Sequence, residues 1–319
     1  MRRLLRSGLL LLFIGGFALA PAASAAQISA AYIPYSTYIY DYNGNPVTTP
    51  HAYVPSAMYG GRDFGAGDLS FPSDITCGPE GDLYICDAGN NRVLRLDKNF
   101  RLLAEIRGFE GPRGPESFSG PQGMFVDEQY LYVADTKNSR IVKLTKDGKF
   151  VQEYGAPKTT LLDDDFLYAP VALAADRTGN LFVVAQGVNK GLLRFNRDGE
   201  FVAFFGAQDA TYSVMDYVWK RFMTEEQLKR MQDFVPTEYN NLVIDKQGFL
   251  YATTNDLDLS VFLSNLRSRA QSSSAAPVRK LNPVGNDVLD RGGYFPPVGD
   301  VKFGRDETNT EAISIITDI

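Results

Sequence analysis

Histidine is almost missing from these 319 residues: His51 stands alone, in a proline-rich loop. Cysteine is confined to Cys77 and Cys86, and tryptophan to Trp219. Serine-nucleophile chemistry would have to rest on His51, and no nucleophile-elbow sequence accompanies it. Two sulfurs with no histidine nearby do not make a metal centre, so neither a metal nor another cofactor is expected. Basic charge is also short. The formal charge of −6 becomes −9 once Arg2, Arg3 and Arg6 leave with the N-terminal leader. A nucleic-acid partner wants a basic stripe, and an anionic membrane surface wants the same. Neither is expected. Beyond the leader no stretch is long and apolar enough to span a bilayer.

The leader is residues 1–25. MRRLLR supplies positive charge, Leu9 to Leu19 an apolar run, and Ala23-Ser24-Ala25 a small-residue processing site. No Cys follows that could take a lipid, and the residues around the two arginines do not make a twin-arginine signal. The expectation is an exported protein, cleaved near Ala25, with no stable membrane insertion afterwards.

What is present is repetition. Residues 69–109 contain DITC, LYICD, RVLRL and LLAEI, four short strands separated by turn chemistry. Comparable stretches follow at 120–157 and 168–207, and an interrupted fourth at 241–256 and 278–289. Pro72, Pro121 and Pro170 stand 49 residues apart. Leu83, Leu131, Leu181 and Leu250 share one column; Tyr84, Tyr132, Phe182 and Tyr251 the next; Leu96, Leu144, Phe195 and Leu281 a third. A period of about 40–50 residues with four strands per unit predicts an all-β β-propeller, whose blades bury their faces against one another.

The strings PSDITCGPEGDLYICDAGNNRV and PQGMFVDEQYLYVADTKNSRI resemble the NHL repeat. The third copy departs from it, with Ala185 and Gly191 at the Asp and Arg positions. The layout as a whole resembles the exported NHL-repeat proteins of bacteria. That resemblance implies four-stranded NHL-type blades at about 65–109, 114–157, 163–207 and 237–300. It also implies a function as an interaction platform. The amidating lyases of this group use several histidines around zinc, which this chain does not have. The lactonase-type propellers bind a divalent metal through Glu, Asn and Asp, and no such set is located by spacing.

Three segments interrupt the array. Residues 26–64 are tyrosine-rich, and Tyr38, Tyr40 and Tyr42 alternate as on one face of a strand. That strand either pairs with the last blade to close the ring or stacks on carbohydrate. Residues 209–236 carry Met215, Val218, Trp219 and Phe222 at helical spacing, and Thr224 with Gln227 fits a capping box. A helical hairpin is expected there, packed on the propeller or docking a partner through Trp219. Residues 301–319 end on ISIITDI, like the first strand of a fifth copy. The expectation is an incomplete ring, a fragment of a longer array.

Candidate site residues follow from these patterns. Asp87, Asn90 and Arg92, then Asp135, Asn138 and Arg140, recur beside a turn, with Asn138 read one residue out of register. Such residues either bond backbone at the blade edge or present arginines to an anionic ligand. Cys77 and Cys86, on two strands of one hairpin, are two buried thiols or a cross-hairpin disulfide. The acidic run Asp163–Asp165 lacks the alternation and glycine of a calcium loop. Together these point to a secreted, non-enzymatic scaffold binding a protein or an extracellular glycan. The alternatives are a metal-dependent lactonase- or lyase-type propeller enzyme and an accessory of a cell-envelope transporter or surface assembly.

Overall fold

A computed structural model of the chain describes residues 26–27, 37–40, 46–50, 57–159, 162, 166–206, 238–254 and 278–289. The first blade is the antiparallel meander β5 (Pro72–Cys77), β6 (Leu83–Asp87), β7 (Arg92–Leu96) and β8 (Leu102–Ile106). The second is β11 (Met124–Val126), β12 (Tyr130–Asp135), β13 (Arg140–Thr145) and β14 (Phe150–Tyr154). The third is β15 (Pro170–Ala175), β16 (Leu181–Ala185), β17 (Leu192–Phe195) and β18 (Phe201–Phe205). The fourth has three strands, β19 (Tyr239–Ile244), β20 (Leu250–Thr254) and β21 (Val278–Leu281), with Asp287 bridging back to Leu281. The first strands lie side by side in order, β5 against β11, β11 against β15, and β15 against β19. Among the described residues these are the four blades of a β-propeller.

Strand alternation explains why no blade stands alone. Tyr84, Cys86 and Val93 leave one face of the first blade and meet Val126, Leu131, Val133 and Leu144 of the second in one buried cluster. Tyr132, Ala134, Ile141 and Tyr154 then meet Leu181, Val183 and Phe195 of the third. Ala174, Phe182 and Val184 meet Leu242, Leu250 and Ala252 of the fourth. Each large apolar side chain so buried contributes about 1.5–3 kcal/mol. Gly123 lets β11 and β15 approach, since a Cβ there would run into the Val171 carbonyl oxygen. Bulges recur where the third strand meets the fourth, at Arg95/Leu96, Lys143/Leu144 and Arg194/Phe195, and sharpen the twist of each blade.

The first blade has no blade before it among the described residues, and a different device covers it. Tyr59, Phe64, Ala66 and Leu69 pack on Ile85, Leu94 and Leu96. Tyr59 stacks on Phe100 with ring centroids 4.2 Å apart. Capping of this kind is what a terminal repeat requires. It stops short of the first strand, where Phe71, Ile75 and Cys77 stay exposed.

Several expectations are corrected. The described residues hold two 3-10 turns and no α-helix, so what they form is all-β, four blades with no helical hairpin among them. Residues 209–236, Trp219 with them, lie outside the described residues, as do His51, Tyr42, Asp163–Asp165 and the expected fifth copy at 301–319. In the N-terminal segment β2 (Thr37–Tyr40), which carries Tyr38 and Tyr40, pairs with β3 (Pro46–Thr49) rather than with the last blade. β1 (Ala26–Gln27) pairs with β4 (Ala57–Met58). A short hairpin, β9 (Gly108–Gly111) with β10 (Gly114–Ser117), intervenes between the first two blades and stacks Phe109 on Phe150 at 5.4 Å. The turn Gly111-Pro112-Arg113-Gly114 was its sequence signal.

Candidate functional site

At the end bearing the second-to-third-strand turns, a 3-10 turn carries the chain from Asp87 to Arg92, with Asn91 in the left-handed region (φ 52°). Asp87 faces Arg92 across the strand pair. Its Oδ2 accepts from Arg92 Nε at 2.7 Å and Asn90 Nδ2 at 2.8 Å, and its Oδ1 from the Ser70 amide at 2.7 Å. Arg92 spends its remaining donors on the Ala66 carbonyl (2.7 Å), the Asp68 carbonyl (3.1 Å) and Glu105 (3.1 Å). The group is buried, and the desolvation of Arg92 is offset by its two carboxylate partners.

The second blade repeats this arrangement. Asp135 accepts from Arg140 Nε and Asn138 Nδ2 at 2.8 Å each, and from the Ser119 amide at 2.7 Å. Asn138 is therefore in register with Asn90: each follows its Asp by three residues and bonds it. Arg140 also reaches Glu116 of the β9–β10 hairpin, and Glu153 at 3.1 Å. Arg113 joins the same carboxylates, at 2.9 Å from Glu116 and 2.6 Å from Glu153. Hydrogen bonds from Arg113 and then Arg140 hold Glu116 down at about 2. In the first two blades the Asp-x-x-Asn-x-Arg element is thus a clamp that ties the connection entering the blade onto that blade.

The cysteines do not pair. Cys77 stands opposite Leu83 and Cys86 opposite Asp74, so they project from opposite faces of the hairpin, and both are free. Cys86 is buried between blades and donates to the Pro121 carbonyl at 3.2 Å; burial pushes its thiol up to about 12. Cys77 is exposed, not buried.

At the other end, the turns between first and second strands of successive blades surround a cavity of about 860 Å³. Phe125, Tyr130 and Tyr132 give it an aromatic wall, Pro79, Ile244 and Pro283 further apolar surface. Its aspartates serve the turns. Asp127 accepts from the Gln129 and Tyr130 amides and the Tyr132 hydroxyl; Asp176 from Thr178 and Asn180; Asp245 from the Gln247 and Phe249 amides and the Tyr251 hydroxyl. Lys143 crosses from the third strand, its ammonium 4.0 Å from the Tyr130 ring centroid and 5.2 Å from that of Tyr132. The same cross-strand pairing of cation and aromatic ring recurs as Arg95 with Tyr84, Arg194 with Phe182 and Lys280 with Tyr251. Sequence reasoning found the aromatic column and missed the cations. They were legible as a basic residue directly before each apolar residue of the third column. Among the described residues no group of three or more His, Cys, Asp or Glu is placed to hold a metal ion.

Four-stranded blades packed face to face place the chain among the β-propellers. The NHL repeat model matches residues 69–96, the stretch that runs through the first three strands of the first blade. It is 35% identical over 82 residues to NHL repeat-containing protein 2 of Gallus gallus, covering 24% of this chain and 11% of that protein. The Bos taurus protein of the same name is 34% identical over 89 residues, covering 26% and 12%. The chain thus spans about a tenth of these relatives' length. Among solved structures, a streptogramin B lyase covers 76% of this chain and 57% of its own at 15% identity and a TM-score of 0.39. A hydrazine synthase of Kuenenia stuttgartiensis covers 60% and 44% at 14% identity and a TM-score of 0.40. Likenesses this distant carry no argument about function.

Proposed function

We propose that this protein is a non-enzymatic binding module that takes a glycan at the cavity ringed by the first turns of its blades. The observation that carries the reading is the aromatic wall of Phe125, Tyr130 and Tyr132 in a cleft of about 860 Å³ edged by polar turn residues. Aromatic rings offer the C–H face of a sugar an apolar surface, while turn amides and side chains serve its hydroxyls. The clamp arginines, in contrast, have their donors committed within the fold. The leader, residues 1–25, supports action outside the cytoplasm, where such ligands are met; N-terminal sequencing of the exported protein should begin near residue 26. No helix among the described residues is long and apolar enough to cross a membrane.

The test is a screen of the full chain against neutral and acidic oligosaccharides by calorimetry. Binding that Tyr130→Ala reduces at least tenfold, with unchanged melting temperature, supports the reading. Binding of none of the sugars, or binding indifferent to Tyr130→Ala, overturns it.

A further inference from the structure

Within the same cavity the cations have no ion-pair counterpart. Lys143 is half-buried, yet its ammonium makes no ion pair or hydrogen bond; its neighbours are the two tyrosine rings. Desolvation lowers its pKa, with Asp127 opposing and Arg197 adding to the shift. Arg177, Arg197 and Lys246 share the lining and form no ion pair either. The carboxylates do not answer them. Asp127, Asp176 and Asp245 have oxygens engaged by turn amides and hydroxyls, and only Glu128 remains open. By count the four cations and four carboxylates balance, so net charge is not the signal. Hydrogen-bonding capacity is: the site holds a half-buried ammonium that no carboxylate bonds, beside an aromatic wall and three exposed cations. A half-buried cation left without a hydrogen-bonding partner is costly, and a ligand's anionic group relieves that cost. In the third and fourth blades the equivalent Arg194 and Lys280 likewise lie against rings, whereas in the first blade the cation is answered. Arg95 in the first blade bonds Asp82 at 2.6 Å.

We infer that the cavity selects an acidic oligosaccharide, with the sugar ring along Phe125 and Tyr130 and its anionic group between Lys143 and Arg197. This rests on the glycan reading above and names the class within it. A carboxylate or a sulfate would satisfy the same donors.

The full chain is titrated with a uronic-acid trisaccharide, with its carboxyl-reduced counterpart, and with a sulfated trisaccharide, at low and high salt. The expected result is affinity for the uronate or the sulfated sugar at least tenfold above the carboxyl-reduced one. That preference should shrink in salt and disappear in Lys143→Gln. Arg197→Gln, at an exposed turn, guards against misfolding of the first variant and should reduce the same preference. Equal affinity for the acidic and carboxyl-reduced sugars overturns this inference while leaving the glycan reading intact. A preference that survives both substitutions overturns it as well. Binding of no sugar overturns both.

Discussion

The turns at the two ends of the propeller use charge in opposite ways, the clamps in the first two blades and the open turns in the second to fourth. Asp87 and Asp135 turn their oxygens on an arginine, an asparagine and an incoming backbone amide, and those arginines are matched to carboxylates and carbonyls. Asp127, Asp176 and Asp245 turn theirs on their own turn amides, and the cations beside them are left unmatched. The first end is closed chemistry that contributes to stability. The second leaves donors available to something outside the fold. Charged residues of the same types therefore do different jobs according to whether the local backbone consumes their partners.

The sharpest way to break this comparison is to remove a clamp. Arg92→Ala leaves Asp87 buried without its guanidinium, and loss of a buried pair's partner costs about 3–5 kcal/mol. Arg197→Ala at the cavity should stay within about 0.5 kcal/mol of the parent. Urea unfolding of the two variants side by side decides it. If the two lose similar stability, the two ends are not different in kind.

Acid provides a gentler probe of the clamp end. The Glu116 carboxyl is held at about 2 by Arg113 and Arg140, against an ordinary value near 4.5. Its folded-state value is depressed, so its contribution is complete above pH 4.5 and fades as the pH falls through about 2. Glu116→Gln should flatten stability against pH across that window and leave the neutral region's slope unchanged. An acid limb identical to the parent's would remove Glu116 from the clamp.

The smallest effect concerns the thiols. One equivalent of a disulfide reagent should react with the native protein, at exposed Cys77, and a second only in denaturant, when Cys86 leaves the interface between blades. Two equivalents in the native state would mean that the first two blades separate readily.

The strands were legible because their signals are local. LYICD, RVLRL and LLAEI fall on β6, β7 and β8 residue for residue, since short β-rich runs between turn residues leave the backbone little choice. The column of Leu83, Leu131, Leu181 and Leu250 sits at or beside the start of the second strand in each blade, buried in the last three, and its repetition along the chain announced blades that pack on one another. The Asp-x-x-Asn-x-Arg strings were equally visible, but whether their arginines face a ligand or the chain was not. That depended on Ala66, Asp68 and Ser70, which reach Asp87 and Arg92 only after the lead segment folds over the first blade.

Other features exist only in three dimensions. Cys77 and Cys86 share a hairpin in sequence, yet the pleat, with Asp74 opposite Cys86 and Cys77 three residues on, sets them on opposite faces. The cavity has no sequence signature, because its wall draws on turns from blades whose residues lie more than a hundred positions apart. The strands and the repeat were fixed by sequence, since each depends on residues within one period. Tertiary structure alone decided which charges are spent and which are left open, because a charge's availability depends on what the folded chain brings next to it.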